Sequence, residues 1–224
     1  MQFILDSADT QKIRRAVTLL PVGGVTTNPS ILAKAERRDV WAVLDEIRAL
    51  IPGKLLHVQV TGHTCEDMLR EAETLRDRFR EDIAVKVPVT AQGVQCIRRL
   101  KQDGYTVTAT AVYSLAQAFF AVAAEADWIA PYYNRMETLG TDAAGFIRTL
   151  RTVIDREGSR TQILAASFHR EEQVITALSA GAHAVTVQPD MYMQMLSSPD
   201  VAGALTKFDA DWAGLTGGEK LFEL

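Results

Sequence analysis

Apolar, β-branched runs of four to seven residues alternate with longer amphipathic stretches along the chain. The runs are "FILD" (3–6), "GVTT" (24–27), "HVQV" (57–60), "IAVKVP" (83–88), "TVTATAV" (106–112), "WIAPYY" (128–133), "QILAAS" (162–167) and "AVTVQP" (184–189). Their length and composition predict eight strands. The intervening stretches carry helix signals. Thr64, Thr90 and Ser114 stand before "CEDMLREAETLRDRF", "AQGVQCIRRLKQDG" and "LAQAFFAVAAE", where a hydroxyl accepts an otherwise orphaned backbone N–H. Gly104 and Gly158 sit where helices end in a left-handed residue, and "SAGA" at 179–182 marks the turn into the last strand. A repeated strand-helix order pairs the strands in parallel. Eight such units in 224 residues fit a closed (β/α)8 TIM barrel better than a doubly wound sheet, and neither GxGxxG nor GxxxxGK[ST] occurs to support the latter. The expectation is a single α/β domain over 1–224, of which about 199–224 forms an extra C-terminal helix and tail.

Barrel sites assemble at the C-terminal ends of the strands, and polar side chains collect there. Asp6 closes the first strand, Thr26 and Asn28 follow the second, Gln59 and Lys86 end the third and fourth, and Thr110 lies late in the fifth. Tyr132 and Ser167 finish the sixth and seventh. Alternation places Ile4, Gly24, His57, Ala84, Thr108, Ala130 and Ala165 one layer lower on the same inward face. Most of these are small, which leaves room for a ligand of a few carbons or else merely suits a narrow barrel.

Lys86 conflicts with its surroundings. In "AVKVPVT" (84–90) it stands among Val85, Val87 and Val89, a run that reads as buried, where an ammonium loses its hydration. Burial lowers an amine's pKa, and the neutral amine is a nucleophile that condenses with a carbonyl. The protonated imine is an electron sink for the carbanion left when the neighbouring carbon–carbon bond breaks. This is class I aldolase chemistry, and it calls for no metal or other cofactor. It needs an acid/base near the imine, donors for substrate hydroxyls and a place for a distal anion; Tyr132, Gln59, Thr110, Asn28, Ser167 and Arg135 are groups of those kinds. Two other readings stay open: Lys86 as a buried structural ion pair with Asp6, and a catalytically silent barrel that binds a sugar phosphate.

A net charge of −4 disfavours a general nucleic-acid surface and still admits a small anionic ligand. The mixed signs of "RDRFRED" (76–82) read as a solvated helix end. No apolar run approaches the roughly 18 residues of a membrane span. The start "MQFILDSADT" lacks the basic head and apolar stretch of a signal peptide, and the two cysteines, Cys65 and Cys96, lack CxxC spacing, so a cytoplasmic, reduced protein is expected. His57 and His63 come without a third ligand at recognisable spacing, so no metal site is expected.

The motifs "GVTTNPSIL" (24–32), "VKVPVT" (85–90), "TAVYSLAQA" (110–118), "APYYNR" (130–135) and "LAASF" (164–168), in a match running from "FILD" to "KFDADW", resemble the fructose-6-phosphate aldolase branch of the transaldolase family. The resemblance implies Lys86 as the Schiff-base residue, Asp6 and Asn28 placing a dihydroxyacetone unit, and Ser167 with Arg135 holding the acceptor's phosphate. It also implies Tyr132 as acid/base through a water shared with Gln59 and Thr110. The catalytic candidates are thus Lys86, Tyr132, Gln59, Thr110 and Asp6; the substrate-binding candidates are Thr26, Asn28, Arg135 and Ser167. Transaldolases of the family carry a glutamate where this chain has Gln59 and usually an asparagine where it has Thr110. A carboxylate can activate the water, whereas an amide only orients it. The expected reaction is therefore reversible cleavage of fructose 6-phosphate to dihydroxyacetone and glyceraldehyde 3-phosphate, with transfer between sugar phosphates as the alternative. Two departures stand out: Ala109 in "ATAVY" where the family has "GTAVY", and His169 where it often has lysine. The second weakens the anion site, leaves a sulfonated or unphosphorylated sugar as a further alternative, and puts compensation on Arg135 and Arg170. The family's ring-like assemblies, with pentamers paired into decamers and C-terminal helices crossing between subunits, imply a homo-oligomer in which the tail "GLTGGEKLFEL" (214–224) docks on a neighbouring subunit.

Overall fold

In the computed structural model of the protein, residues 1–35 and 39–223 are described. Eight parallel strands close into a barrel in chain order: β1 (Gln2–Asp6), β2 (Val22–Thr26), β3 (Leu55–Gln59), β4 (Ile83–Pro88), β5 (Thr106–Val112), β6 (Trp128–Pro131), β7 (Gln162–Ala165) and β8 (Ala184–Val187). The crossovers are α1 (Thr10–Leu19), α2 (Pro29–Lys34), α3 (Val40–Leu50), α4 (Cys65–Phe79), α5 (Ala91–Gln102), α6 (Leu115–Ala123), α7 (Tyr133–Thr138), α8 (Ala143–Arg156) and α9 (Glu171–Ser179). The (β/α)8 architecture is the one expected from the alternating pattern.

Met1–Pro189 forms one compact unit. The remainder, from Asp190 on, is a second unit built on α10 (Pro189–Met195) and α11 (Pro199–Thr216). Ser198 caps the start of α11, Gly217 closes it in the left-handed region at φ 69°, and its Val201, Leu205 and Phe208 are exposed. Leu224 of the apolar tail lies outside the described residues.

The β-branched strands are buried on both faces, as parallel sheets require. Leu5, Val25, Val85, Val87, Val107, Ile129, Ile163 and Val185 lie in one buried layer towards the helices, and the alternate residues line the barrel interior. The three expected N-caps form: Thr64, Thr90 and Ser114 accept the N–H groups of Asp67, Gly93 and Gln117. Gly104 and Gly158 take the left-handed conformation at φ 75° and 60°.

The interior differs from the expected floor of small residues. Register pairs Trp128 with Gln162 and Leu164 with Ala184, so Leu164 faces inward and Ala165 turns to the helix layer with Ile163. "QILAAS" is apolar on both faces and carries no parity signal of its own. Counting back from Ser167 fails because that residue is left-handed, at φ 65°, which breaks the alternation. Ile4, Trp128, Leu164 and Ala184 pack together as a buried cluster and fill the barrel below its mouth. The sixth and seventh strands also stop short of the expected ends. Tyr132 keeps a single bridge to Ala166, because the Tyr133 N–H bonds the Ala166 carbonyl at 2.8 Å and turns the chain into α7.

The end of β4 is held by close backbone contact with α5. A Cβ on Gly93 would lie 1.9 Å from the Pro88 carbonyl oxygen, inside any van der Waals limit, so the helix seats only over glycine. Gly93→Ala is expected to lower unfolding free energy by about 1–3 kcal/mol, read as a reduced urea midpoint at unchanged slope.

Candidate active site

Lys86 lies on the inward face of β4, between the outward Val85 and Val87, and is 5 % exposed. Its Nζ donates to the Thr27 carbonyl oxygen at 2.8 Å. Thr27 is itself anchored, since its N–H and its hydroxyl both donate to the His57 carbonyl, at 2.9 and 3.3 Å. The amine is therefore tethered to a backbone acceptor just past β2. Burial pushes the Lys86 pKa down, and the Asp6 carboxylate opposes that shift. Burial likewise pushes the Asp6 pKa up, against Lys86, the Thr26 hydroxyl and Lys34. Both groups are driven towards their uncharged forms, and the hydrogen-bond partner of Nζ is a carbonyl rather than the Asp6 carboxylate.

Asp6 ends β1 opposite Thr26 in register. The Thr26 hydroxyl lies 2.6 Å from Asp6 Oδ1 and 2.6 Å from the Thr186 hydroxyl. Each threonine has one proton to give, so with Asp6 ionised Thr26 donates to it and Thr186 donates to Thr26. Thr186 on β8 was missed by sequence reasoning; counting alternate residues back from the end of "AVTVQP" was the signal available.

Gln59 stands beside Lys86 on the adjoining strand, in direct register. Across β4, Pro88 pairs with Thr110. There β5 is irregular: its register to β6 slips between Ala109 and Val112, and Ala111 is left-handed at φ 55°. A bulge at this place re-aims the neighbouring side chain, and the Thr110 hydroxyl lies 3.3 Å from the Tyr132 phenol oxygen. The Tyr132 ring meets Tyr113 edge to face at 5.4 Å, and the Arg135 guanidinium carbon is 5.9 Å from its centroid. Burial raises the phenol's pKa, while Thr110 and Arg135 pull it down. A phenol so placed is protonated at neutral pH and gives a proton before it takes one.

Asn28 caps α2, its Oδ1 accepting the Ile31 N–H at 2.9 Å; only its amide N–H groups are left to face a ligand. Ser167 and α7, which carries Arg135, are stitched by the Asn134 N–H to the Ser167 carbonyl at 2.9 Å. Arg170, expected to compensate at the anion site, is exposed and forms an ion pair with Glu137 of α7 at 3.2 Å. Arg135 and His169 are exposed.

One layer below Lys86, His57 is fully buried, with Nδ1 2.9 Å from the Thr108 hydroxyl. Its Nε2 is buried without a hydrogen-bond partner, and its ring packs at a T-shaped angle on Trp128 at 5.9 Å. Among the described residues no cluster of three or more His, Cys, Asp or Glu side chains is placed to hold a metal ion. A hollow of about 870 Å³ lies at the opposite, N-terminal end of the barrel beside Asp127 and Thr161; it holds none of the groups described above.

A closed parallel barrel with a desolvated lysine near its mouth, within electrostatic reach of the Asp6 carboxylate, is an arrangement suited to an enzyme of the carbonyl-condensing kind. A profile of the transaldolase/fructose-6-phosphate aldolase family matches residues 3–217. The chain is also 41% identical over 213 residues to a probable fructose-6-phosphate aldolase of Streptococcus pneumoniae (strain ATCC 700669 / Spain 23F-1), covering 95% of this chain and 96% of that protein. The chain belongs to the transaldolase/fructose-6-phosphate aldolase family, whose members typically work through a Schiff base, in agreement with the motifs spread along its sequence.

Burial, with a smaller contribution from Lys86, pushes the His57 pKa down to about 3. Below the ordinary histidine range the unfolded chain therefore binds a proton that the folded one refuses, and stability is lost as the pH falls, at up to about 1.4 kcal/mol per unit. His57→Phe is expected to remove that slope between about pH 6 and pH 4.5, seen as a smaller acid-side loss of urea midpoint than in the parent.

Proposed function

We propose that the protein is a class I aldolase that reversibly cleaves fructose 6-phosphate to dihydroxyacetone and glyceraldehyde 3-phosphate through an imine on Lys86. The observation that carries this is the buried Lys86 amine, its pKa driven down by desolvation, with an amide rather than a carboxylate beside it at Gln59. In this reading Nζ leaves the Thr27 carbonyl and attacks the substrate's C2 carbonyl. Tyr132 protonates the departing hydroxyl through a water oriented by Gln59 and Thr110. The protonated imine then takes up the C3–C4 bonding electrons while the C4 hydroxyl passes its proton back towards Tyr132, and glyceraldehyde 3-phosphate leaves. Protonation at C3 and hydrolysis of the imine release dihydroxyacetone and restore the amine. Asp6, with Thr26 behind it, and the Asn28 amide bind the donor's hydroxyls; Ser167 and Arg135 hold the distal phosphate.

Transfer of the dihydroxyacetone unit to an acceptor aldose is the family's other reaction. Gln59 disfavours it, since an amide does not ionise near neutral pH and cannot act as a general base towards water. One observation bears on the acceptor: with Arg170 paired to Glu137 and histidine at 169, Arg135 is the principal cation of the acceptor end. This favours tolerance of sulfonated or unphosphorylated aldehydes. No helix of the described residues is long and apolar enough to cross a membrane. The acidic net charge argues against nucleic-acid partners, and we infer a cytoplasmic homo-oligomer, a pentamer or decamer as in the family, in which the exposed apolar side of α11 docks on a neighbouring subunit.

Borohydride added with dihydroxyacetone is expected to leave a reduced adduct on Lys86 in the parent and none in Lys86→Met; an unmodified, folded parent protein would sink the proposal. A product assay with fructose 6-phosphate should release free dihydroxyacetone at a rate independent of added erythrose 4-phosphate. The pH profile carries a sign. The reactive form is the free amine, so kcat/KM should rise with pH, with a midpoint below the ordinary lysine value because burial lowers the Lys86 pKa.

A further inference from the structure

The acceptor end of the site rests on two segments from different crossovers. Arg135 belongs to α7, a six-residue helix whose cap residue, Tyr132, makes no side-chain cap bond; so short a helix does not hold itself. Ser167 belongs to the stretch after β7 and is left-handed at φ 65°, a conformation that costs a non-glycine residue on the order of 1 kcal/mol and persists only where its surroundings enforce it. Beside the backbone bonds from Tyr133 and Asn134 to the Ala166 and Ser167 carbonyls, one side-chain amide ties the two segments together. Gln173, in the first turn of α9, is 2 % exposed. Its Nε2 donates to Asn134 Oδ1 at 2.9 Å and to Glu137 Oε2 at 2.6 Å, both on α7. Its Oε1 accepts the N–H groups of His169 at 2.8 Å and Arg170 at 3.1 Å, both on the Ser167 stretch. Two donors and two acceptor sites are all a glutamine has, and all four are spent joining α7 to the stretch 167–170.

We propose that Gln173 is a positioning residue which locks α7 to the stretch after β7 and thereby holds Arg135 and Ser167 in the spacing that receives an anionic acceptor. The proposal rests on the reading of Arg135 and Ser167 as the acceptor site. Gln173 touches no reacting atom in it. Glutamate at 173 keeps the shape but cannot donate to Asn134 Oδ1, and it sets a second carboxylate against Glu137. Methionine keeps the bulk and abandons all four bonds. Exchanging the two groups, Gln173→Glu with Glu137→Gln, returns one amide and one carboxylate to the cluster with net charge unchanged.

The test measures dihydroxyacetone addition to glyceraldehyde 3-phosphate and to glyceraldehyde in the parent, Gln173→Glu, Gln173→Met, the exchanged pair and Arg135→Leu, beside borohydride trapping with dihydroxyacetone alone. The expected result is a rise of roughly 10-fold in KM for the phosphorylated aldehyde in Gln173→Glu and Gln173→Met. Little change is expected in kcat, in the unphosphorylated reaction or in trapping at Lys86, and KM should recover in the exchanged pair. An equal loss for both aldehydes, or no loss for either, overturns the proposal, as does a failure of the exchange to restore KM. If Arg135→Leu leaves the preference for the phosphorylated aldehyde intact, the acceptor reading falls and the inference with it. If Arg135→Leu abolishes the preference and the Gln173 variants do not, the inference alone falls.

Discussion

The site depends on the removal of one amine from water. Lys86 is carried into the barrel by the alternation of β4, whose valines take the helix side and leave it no outward rotamer. Two opposing effects act there. A unit charge pair at about 4 Å attracts by about 4 kcal/mol at an effective dielectric near 20, while desolvating an ion in a protein interior costs several kcal/mol for each member of the pair. With two ions to desolvate and one attraction to set against them, burial leads for both Lys86 and Asp6. The tether of Nζ to the Thr27 carbonyl fits this balance, because a carbonyl accepts from a neutral amine as readily as from an ammonium and imposes no charge.

Around that amine the backbone departs from regular strand geometry in two places, and both are at the C-terminal mouth. Ala111 and Ser167 are left-handed without being glycine, at a cost of about 1–3 kcal/mol each. Their consequences differ. The first belongs to the slip in β5 that brings Thr110 to the Tyr132 phenol. The second ends the alternation of β7 and frees the chain to meet α7. In each case neighbouring contacts over-determine the conformation: regular pairing of β5 with β4 on one side, and the four bonds of Gln173 on the other. Below the mouth, Trp128 and Leu164 fill the barrel, so the strained layer rests on a packed floor rather than on a cavity.

Most of the fold was legible because parallel strands buried on both faces read as apolar runs, and eight of them punctuated by caps leave little other than a barrel. The polar ring was legible for a related reason: Asp6, Gln59, Lys86 and Thr110 end strands whose alternation is unbroken up to them. The failures sit where that regularity fails. Ala165 was placed inward by counting back across a residue whose left-handed backbone had already reversed the count. The ion pair of Arg170 with Glu137, thirty-three positions away, was equally invisible, because nothing in one sequence shows that the two face each other across two crossovers. Gln173 gave no signal at all, since a glutamine in the first turn of an amphipathic helix reads as a solvated residue until the loop that it closes is seen.

The arrangement also bears on why an amide suits position 59 in this chain. A carboxylate there would stand in register with Lys86, in the same desolvated mouth as Asp6. It would add a second negative charge where one is already raised in pKa by burial. It would stabilise the ammonium form of Lys86 and oppose the desolvation that makes the amine nucleophilic. Gln59 avoids that coupling. The proposed mechanism then gives the proton traffic to the Tyr132 phenol, whose oxygen lies 3.3 Å from the Thr110 hydroxyl. In the proposed mechanism the amide, the tyrosine and a lysine whose pKa burial lowers form one electrostatic choice: the mouth keeps its charge low, and water is steered to the imine by dipoles rather than activated by a base.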